Sequence, residues 1–230
     1  MKQKIAIIAA LPREVAPLIQ GWQDESDRVR KVFVYTAEEA VVAYAGMGAA
    51  RVELAVRASL QHGPISHMLS VGWAGGLKPE WAAGSIHHPS YVIDAATGQR
   101  FAAVAGTGTL VTVAIVADAD AKRRLVTDFD ADFVDMEAAI VARIATEEGI
   151  PFAAVKAIFD EHADRLPELQ GFYTSDGWFR EKAFAIHVAL HPWLWLTTIR
   201  MGRSASASAR NLCHELQRIL LAYEGNPLQE

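Results

Sequence analysis

A chain of 230 residues, 51% of them hydrophobic and with a formal net charge of −5, has enough apolar material for one α/β core. It lacks the clustered basic surface that phosphate-backbone binding requires, so nucleic acid is not an expected partner. The single cysteine, Cys213, excludes an internal disulfide and a cysteine-rich metal site, which suits a reducing cytoplasm.

The opening MKQKIAIIAALPREV reads as a first strand over 5–10 rather than a signal peptide, because Pro12, Arg13 and Glu14 break the apolar run at once. Residues 31–36 and 40–45 flank the polar turn AEEA as a hairpin, and Gly46-Met47-Gly48 opens a helix with Val52, Ala55, Val56 and Leu60 on one face. Gly63-Pro64 stops that helix. A buried strand is expected over 67–72, ending in Trp73-Ala74-Gly75-Gly76, and a third over 85–94, turning at Thr97-Gly98 into 100–105. A valine-rich strand over 109–117 follows, then a charged surface helix over 118–127, a short strand over 131–134, a helix over 137–148 and a strand over 151–158.

This alternation implies an α/β fold with a central mixed, largely parallel β-sheet. One domain is expected over 1–230, with a divergent, aromatic-rich part from about 165 containing HPWLWLTTIR, SASASA as a helix lead-in or loop, and a last helix over 207–223.

Open α/β sheets place their sites at the carboxyl ends of strands, which makes the residues after each apolar run informative. Glu14 follows the first strand, FVDMEAA brings Asp135 and Glu137 to a strand-to-helix junction, and Asp160 follows the strand near 155. Separate strands thereby deliver carboxylates to one edge. Such a set suits cleavage through an oxocarbenium-like transition state, with an acid for the leaving group, a carboxylate for the cationic sugar and a base for water. Taken singly, Glu14 is also a favoured acid in a helix first turn, and Asp135 and Asp160 are also helix caps. Gly46-Met47-Gly48 lacks the third glycine of a dinucleotide fingerprint, and no histidine pair has ligand spacing, so neither a nicotinamide cofactor nor a metal is expected. Trp193 and Trp195 read as core or subunit contacts ahead of lipid anchors.

Through IAALPREV at the end of the first apolar run, AGMG at 45–48, VGWAGGL at 71–77, VDMEA at 134–138 and VKAIFDE at 155–161, the chain resembles the nucleoside phosphorylase superfamily, in particular its methylthioadenosine/S-adenosylhomocysteine nucleosidase branch. The resemblance implies a three-layer nucleoside-phosphorylase-like fold, no cofactor, and a homo-oligomer. It also implies roles. Glu137 would hold the ribose hydroxyls with Met136 against the sugar, Asp160 would share a proton with purine N7, and Glu14 would orient the attacking water. The turn at Gly46 would bring backbone amides near the ribose, and Lys156, where the nucleosidases carry arginine, would keep a positive charge near Asp160.

Two positions depart from the pattern, because Trp73 and Phe159 replace small serines and change the geometry offered to substrate. Where phosphorylases show an arginine and a serine this chain has Ser70 and Trp73, which favours water over phosphate as nucleophile, with Arg51 and Arg57 the cations that would restore an anion site if aimed inward. ADRLPELQGFYTSDGWFR and HVALHPWLWLTTIRM look like the hopanoid-associated branch, through Leu166-Pro167, Phe179-Arg180 and HPWLW. That likeness implies an adenosyl nucleoside with a bulky lipid on its 5′ side, and peripheral membrane contact through 190–200.

Overall fold

Ile5, Ile7 and Ala9 of β1 (Lys4–Ala9) pack in one apolar cluster and Ala6 and Ile8 in another, so a strand apolar at nearly every position is covered on both faces. The computed structural model describes residues 2–164, 170–174 and 177–225. After β1 come α1 (Pro12–Val15), β2 (Gln23–Asp24), β3 (Phe33–Thr36), β4 (Ala40–Tyr44), α2 (Ala49–Ser59) and β5 (Ile65–Gly76). The middle of the chain supplies β6 (Ile86–His87), β7 (Tyr91–Asp94), β8 (Arg100–Ala102), β9 (Thr109–Thr112), α3 (Ala119–Phe129), β10 (Phe133–Asp135), α4 (Ala138–Glu147) and β11 (Phe152–Asp160). The last helices are α5 (Glu181–Leu190) and α6 (Trp195–Gly225).

The strands form a mixed, largely parallel sheet in the order β2-β3-β4-β1-β5-β10-β9-β7-β8, with β11 and β6 branching from β5. Helices α2 and α4 cover one face through Val52, Val56, Val141 and Ile144, while α1 and α6 cover the other through Val15, Leu212 and Leu216. The pivot is β5. It runs parallel to β1 and to β11, and at its end Gly75 is paired with both Val134 of β10 and Asp160 of β11. The two junctions that carry Glu137 and Asp160 thus leave the sheet on either side of one glycine.

Several boundaries differ from those the sequence implies. β5 continues through Trp73 to Gly76, because flanking strands still pair with that glycine-rich end. The strand expected over 85–94 is two, β6 and β7, divided at His88-Pro89, since proline has no N–H for a ladder and the halves join different partners. β9 stops at Thr112, and residues 113–117 become a loop. The helix over 119–129 is not wholly a surface helix, as Lys122 and Leu125 are buried.

The largest correction is at the C-terminal part. SASASA is neither lead-in nor loop but the middle of α6, a helix of 31 residues. Small side chains there let α6 approach β11, and Ser204 and Ser208, one turn apart, donate to the carbonyls of Phe159 and Ile158, the latter at 2.8 Å. Trp193 and Trp195 are not core residues, being 73% and 50% exposed, and Ile186, Leu190 and Ile199 are exposed beside them. The Leu166-Pro167 anchor lies outside the described residues.

Ser208 is fully buried, so its replacement tests this contact. Ser208→Ala should lower the unfolding free energy by about 1 kcal/mol through the lost hydrogen bond. Ser208→Leu should cost more, about 1–3 kcal/mol, by forcing α6 off the strand. Urea denaturation measures both, and a leucine variant as stable as the parent would show that α6 is not held at this distance.

Candidate active site

Glu14 owes its position to a turn and a glycine. Pro12 starts α1 immediately after β1, which puts Glu14 in the first helical turn, where Oε2 accepts the N–H groups of Ala10 at 3.0 Å and Leu11 at 2.8 Å. Oε1 accepts the N–H of Trp73 at 3.2 Å. A Cβ at Gly72, whose φ is +138°, would fall 2.7 Å from Oε1, so only glycine lets the strand come this close. The acid therefore serves as a helix-start acceptor and also lines the central cavity. Burial raises its proton affinity, opposed by these amides and by the charge of Lys156.

At the junction of β10 and α4, Asp135 acts structurally. Oδ2 accepts the N–H of Ala138 at 3.0 Å, Oδ1 accepts the Thr112 hydroxyl at 2.6 Å, and Lys156 Nζ lies 2.9 Å from Oδ2. Lys156 also donates to Ser70 Oγ at 3.1 Å. Two residues on, Glu137 precedes the first turn of α4 and accepts through Oε1 the N–H of Gly48, which stands before α2, at 3.2 Å. Burial, then the nearby Asp135 and Glu14, push the Glu137 carboxyl up to about 8, against the opposing pull of Lys156 and Gly48.

Asp160 closes β11 and is buried, with Lys122 Nζ donating to its Oδ2 and, at 2.7 Å, to the Glu161 carbonyl. The cation beside Asp160 is therefore Lys122 and not Lys156. Alternation along β11 would stack residues 156 and 160 on one face, but the register shifts between Ile158 and Asp160, and Lys156 turns to Asp135. At the glycine turn it is the amide of Gly48 that reaches Glu137, and not that of Gly46. Its N–H is engaged by the Ala10 carbonyl at 3.0 Å, and of this turn Met47 lines the cavity.

The cavity holds about 340 Å³, and Glu14, Asp135, Met136, Glu137 and Asp160 share it with Trp73 and Phe159. The two aromatic replacements stack on each other, centroids 5.1 Å apart and planes 12° from parallel. Arg13 lays its guanidinium over Trp73 at 4.7 Å and Phe179 at 5.5 Å. Arg51 and Arg57 point elsewhere, the first to the carbonyls of Ala45 and Lys31, the second to Glu53. Lys156 stands behind the cavity, not among its lining residues.

Sequence reasoning missed Lys122, Arg13 and the wall built by Phe184, Thr198, Met201 and Ala205. For Lys122 a signal existed. It shares a helical face with Leu125, Val126 and Phe129, and a lysine in phase with an apolar stripe needs a buried anion. For Arg13 and the C-terminal wall no local pattern reveals the long-range approach.

A family model described as the phosphorylase superfamily matches residues 4–108 and 104–190. Among curated proteins none matches the sequence. The fold is similar to that of 5′-methylthioadenosine nucleosidase from Arabidopsis thaliana in its apo form, with a TM-score of 0.75 and 17% identity over 99% of this chain and 98% of that one. It is also similar to 5′-methylthioadenosine/S-adenosylhomocysteine nucleosidase from Helicobacter pylori bound to butyl-thio-DADMe-Immucillin-A, with a TM-score of 0.69 and 18% identity over 95% and 99% of the two chains. Futalosine hydrolase of Helicobacter pylori aligns with a TM-score of 0.66 and 19% identity over 94% and 98%. At these identities the likeness is one of fold.

The elevated proton affinity of Glu137 has a consequence for stability. The folded state binds its proton more tightly than the unfolded chain does, so the stabilisation is complete below the ordinary carboxylate range and is lost as pH rises towards about 8. Glu137→Gln keeps an acceptor for Gly48 and cannot ionise. Thermal melting should show the variant matching the parent near pH 4 and exceeding it by several degrees near pH 9, and a gap independent of pH would contradict the assignment.

Proposed function

Starting from the fact that the chain belongs to the phosphorylase superfamily, we propose that it is an enzyme acting on nucleosides, which cleaves the N-glycosidic bond of an adenosyl compound with water and releases adenine. The observation that carries this reading is the convergence of Glu14, Glu137 and Asp160, from three distant parts of the chain, on one cavity with Met136 between the ends of β10 and α4. As the C1′–N9 bond breaks, its electron pair moves into the purine and Asp160 gives a proton to N7, so the base leaves neutral. Water attacks C1′ and passes its proton to Glu14, which burial makes a stronger base than an exposed carboxylate. Glu137 accepts hydrogen bonds from the ribose hydroxyls, and these favour its ionised form when substrate is present. Met136 packs on the sugar, and the stacked Trp73 and Phe159 form an apolar wall where small polar groups would leave room.

The finer proposal concerns the 5′ substituent, which we take to be a bulky lipid of adenosylhopane type. Its support is the looser likeness of 163–201 to the hopanoid-associated branch, together with a cavity walled by Phe184 and Met201 on helices whose outer surface exposes Leu190, Trp195 and Ile199. Among the described residues no helix is long and apolar enough to cross a membrane, so contact with lipid would be peripheral, through 190–200.

One observation favours phosphate in place of water. Arg13 Nε, Trp73 Nε1 and Thr198 Oγ1 are buried without a hydrogen-bond partner, and all three residues line the cavity, as a site for an acceptor-rich ligand would require.

Adenine release from an adenosyl lipid and from methylthioadenosine, each with and without phosphate, separates these readings. The expected result is phosphate-independent release that is faster from the lipid, and a loss of about 10²–10⁴-fold in Asp160→Asn. Strict phosphate dependence would replace water as the nucleophile, equal or better turnover of methylthioadenosine would remove the lipid, and an unimpaired Asp160→Asn would overturn the chemistry.

A further inference from the structure

We propose that Lys122 is a positioning residue for Asp160, fixing one carboxylate oxygen with its ammonium and stabilising the anion that Asp160 becomes when it gives its proton to the leaving base. The inference rests on the reading of Asp160 as the acid facing the purine, and adds to it a residue from a different element.

Lys122 lies on the first turn of α3, whose N-cap Asp118 accepts the N–H of Ala121 at 2.7 Å and so fixes the start of the helix. Its side chain is 3% exposed and its partner's 10%. A lysine this deep is costly unless paired, and its ammonium meets Asp160 Oδ2 and the Glu161 carbonyl, the two groups at the very end of β11. Gly75, paired with Asp160 across β5 and β11, leaves the space: a Cβ there would lie 3.2 Å from Lys122 Cε and 3.3 Å from Asp160 Oδ1. Both partners line the cavity. A structural ion pair needs neither access to the cavity nor a glycine beside it.

The charges facing Asp160 are few. Lys122 comes from α3 and Asp164 from the segment after β11, the latter opposing ionisation. The Glu161 carboxylate is turned to the Ala83 N–H at 3.0 Å, and α6 brings the neutral Ser204 and Ser208 to the neighbouring carbonyls. Burial by itself would leave the carboxyl holding its proton too tightly to pass it on, and Lys122 is the largest influence in the other direction. In the reaction the proton moves from Asp160 to N7, the glycosidic electron pair enters the ring, and the carboxylate left behind is met by an ammonium already in place.

The test measures kcat/KM for adenine release against pH in the parent, Lys122→Met, Lys122→Arg and Asp160→Asn, with melting temperatures alongside. Asp160 must be protonated to act, so it sets the alkaline limb. Lys122→Met should move that limb up by about 1–3 pH units and lower the plateau about 10-fold or more. Lys122→Arg should keep the limb in place and recover much of the plateau. Should the methionine variant fail to fold, Lys122→Gln carries the same comparison.

A folded Lys122→Met with the parent's plateau and limb, while Asp160→Asn is inactive, overturns the role of Lys122 and leaves that of Asp160 standing. A lowered plateau with an unmoved limb, shared by the arginine variant, also overturns it, since packing alone would explain the loss. Full activity in Asp160→Asn removes the acid itself and this inference with it.

Discussion

The pairing of Asp135 with Lys156 is the interaction on which the site depends. Both side chains are almost fully out of water, at 0% and 1% exposure, and the pair is tied down further by Thr112, the Ala138 amide and Ser70. Breaking such a pair from one side leaves a buried charge, which is why both members must stay. Lys156 also draws down the proton affinity of Glu14 and Glu137, so one ammonium behind the cavity moderates two carboxylates that line it. Asp135 acts oppositely on Glu137, raising its proton affinity, and this balance leaves Glu137 able to titrate near neutral pH.

Each remaining acid is compensated by another means. Glu14 relies on three backbone amides, Glu137 on the amide of Gly48, and Asp160 on Lys122. Backbone donors are rigid and carry no net charge, and they orient a carboxylate while favouring its ionised form. An ammonium does the same and adds a full opposite charge. The difference separates the acid assigned to the base, which must give up a proton, from the one assigned to water, which must take one.

Most of this architecture was legible because strands buried on both faces are apolar throughout and end in glycine or acid. β5 ends in Gly76, β10 in Asp135 and β11 in Asp160, and Asp135 and Asp160 meet in one cavity with Glu14, which follows β1. What failed to show was anything set by pairing at long range. The β11 register shift reassigned the lysine beside Asp160, and Pro89 divided β6 from β7 because each half has a different neighbour. Lys122 looked like one more charge on a polar helix, although its phase with Leu125 and Phe129 marked it as buried.

SASASA misled for a related reason. Serine and alanine in alternation carry no helical apolar stripe, and the run makes sense only against β11, where short side chains permit approach and hydroxyls satisfy the Ile158 and Phe159 carbonyls at the strand end. The same helix presents Ala205 of this run, and Thr198 and Met201 before it, to the cavity. The distance that α6 keeps from the sheet is thus set beside Asp160 and read out in the shape of the distal wall. A change at Ser208 that lifts the helix would be felt twice, once as lost stability and once as a cavity of different width, which ties the substrate that the wall admits to the packing of the strand that carries the acid.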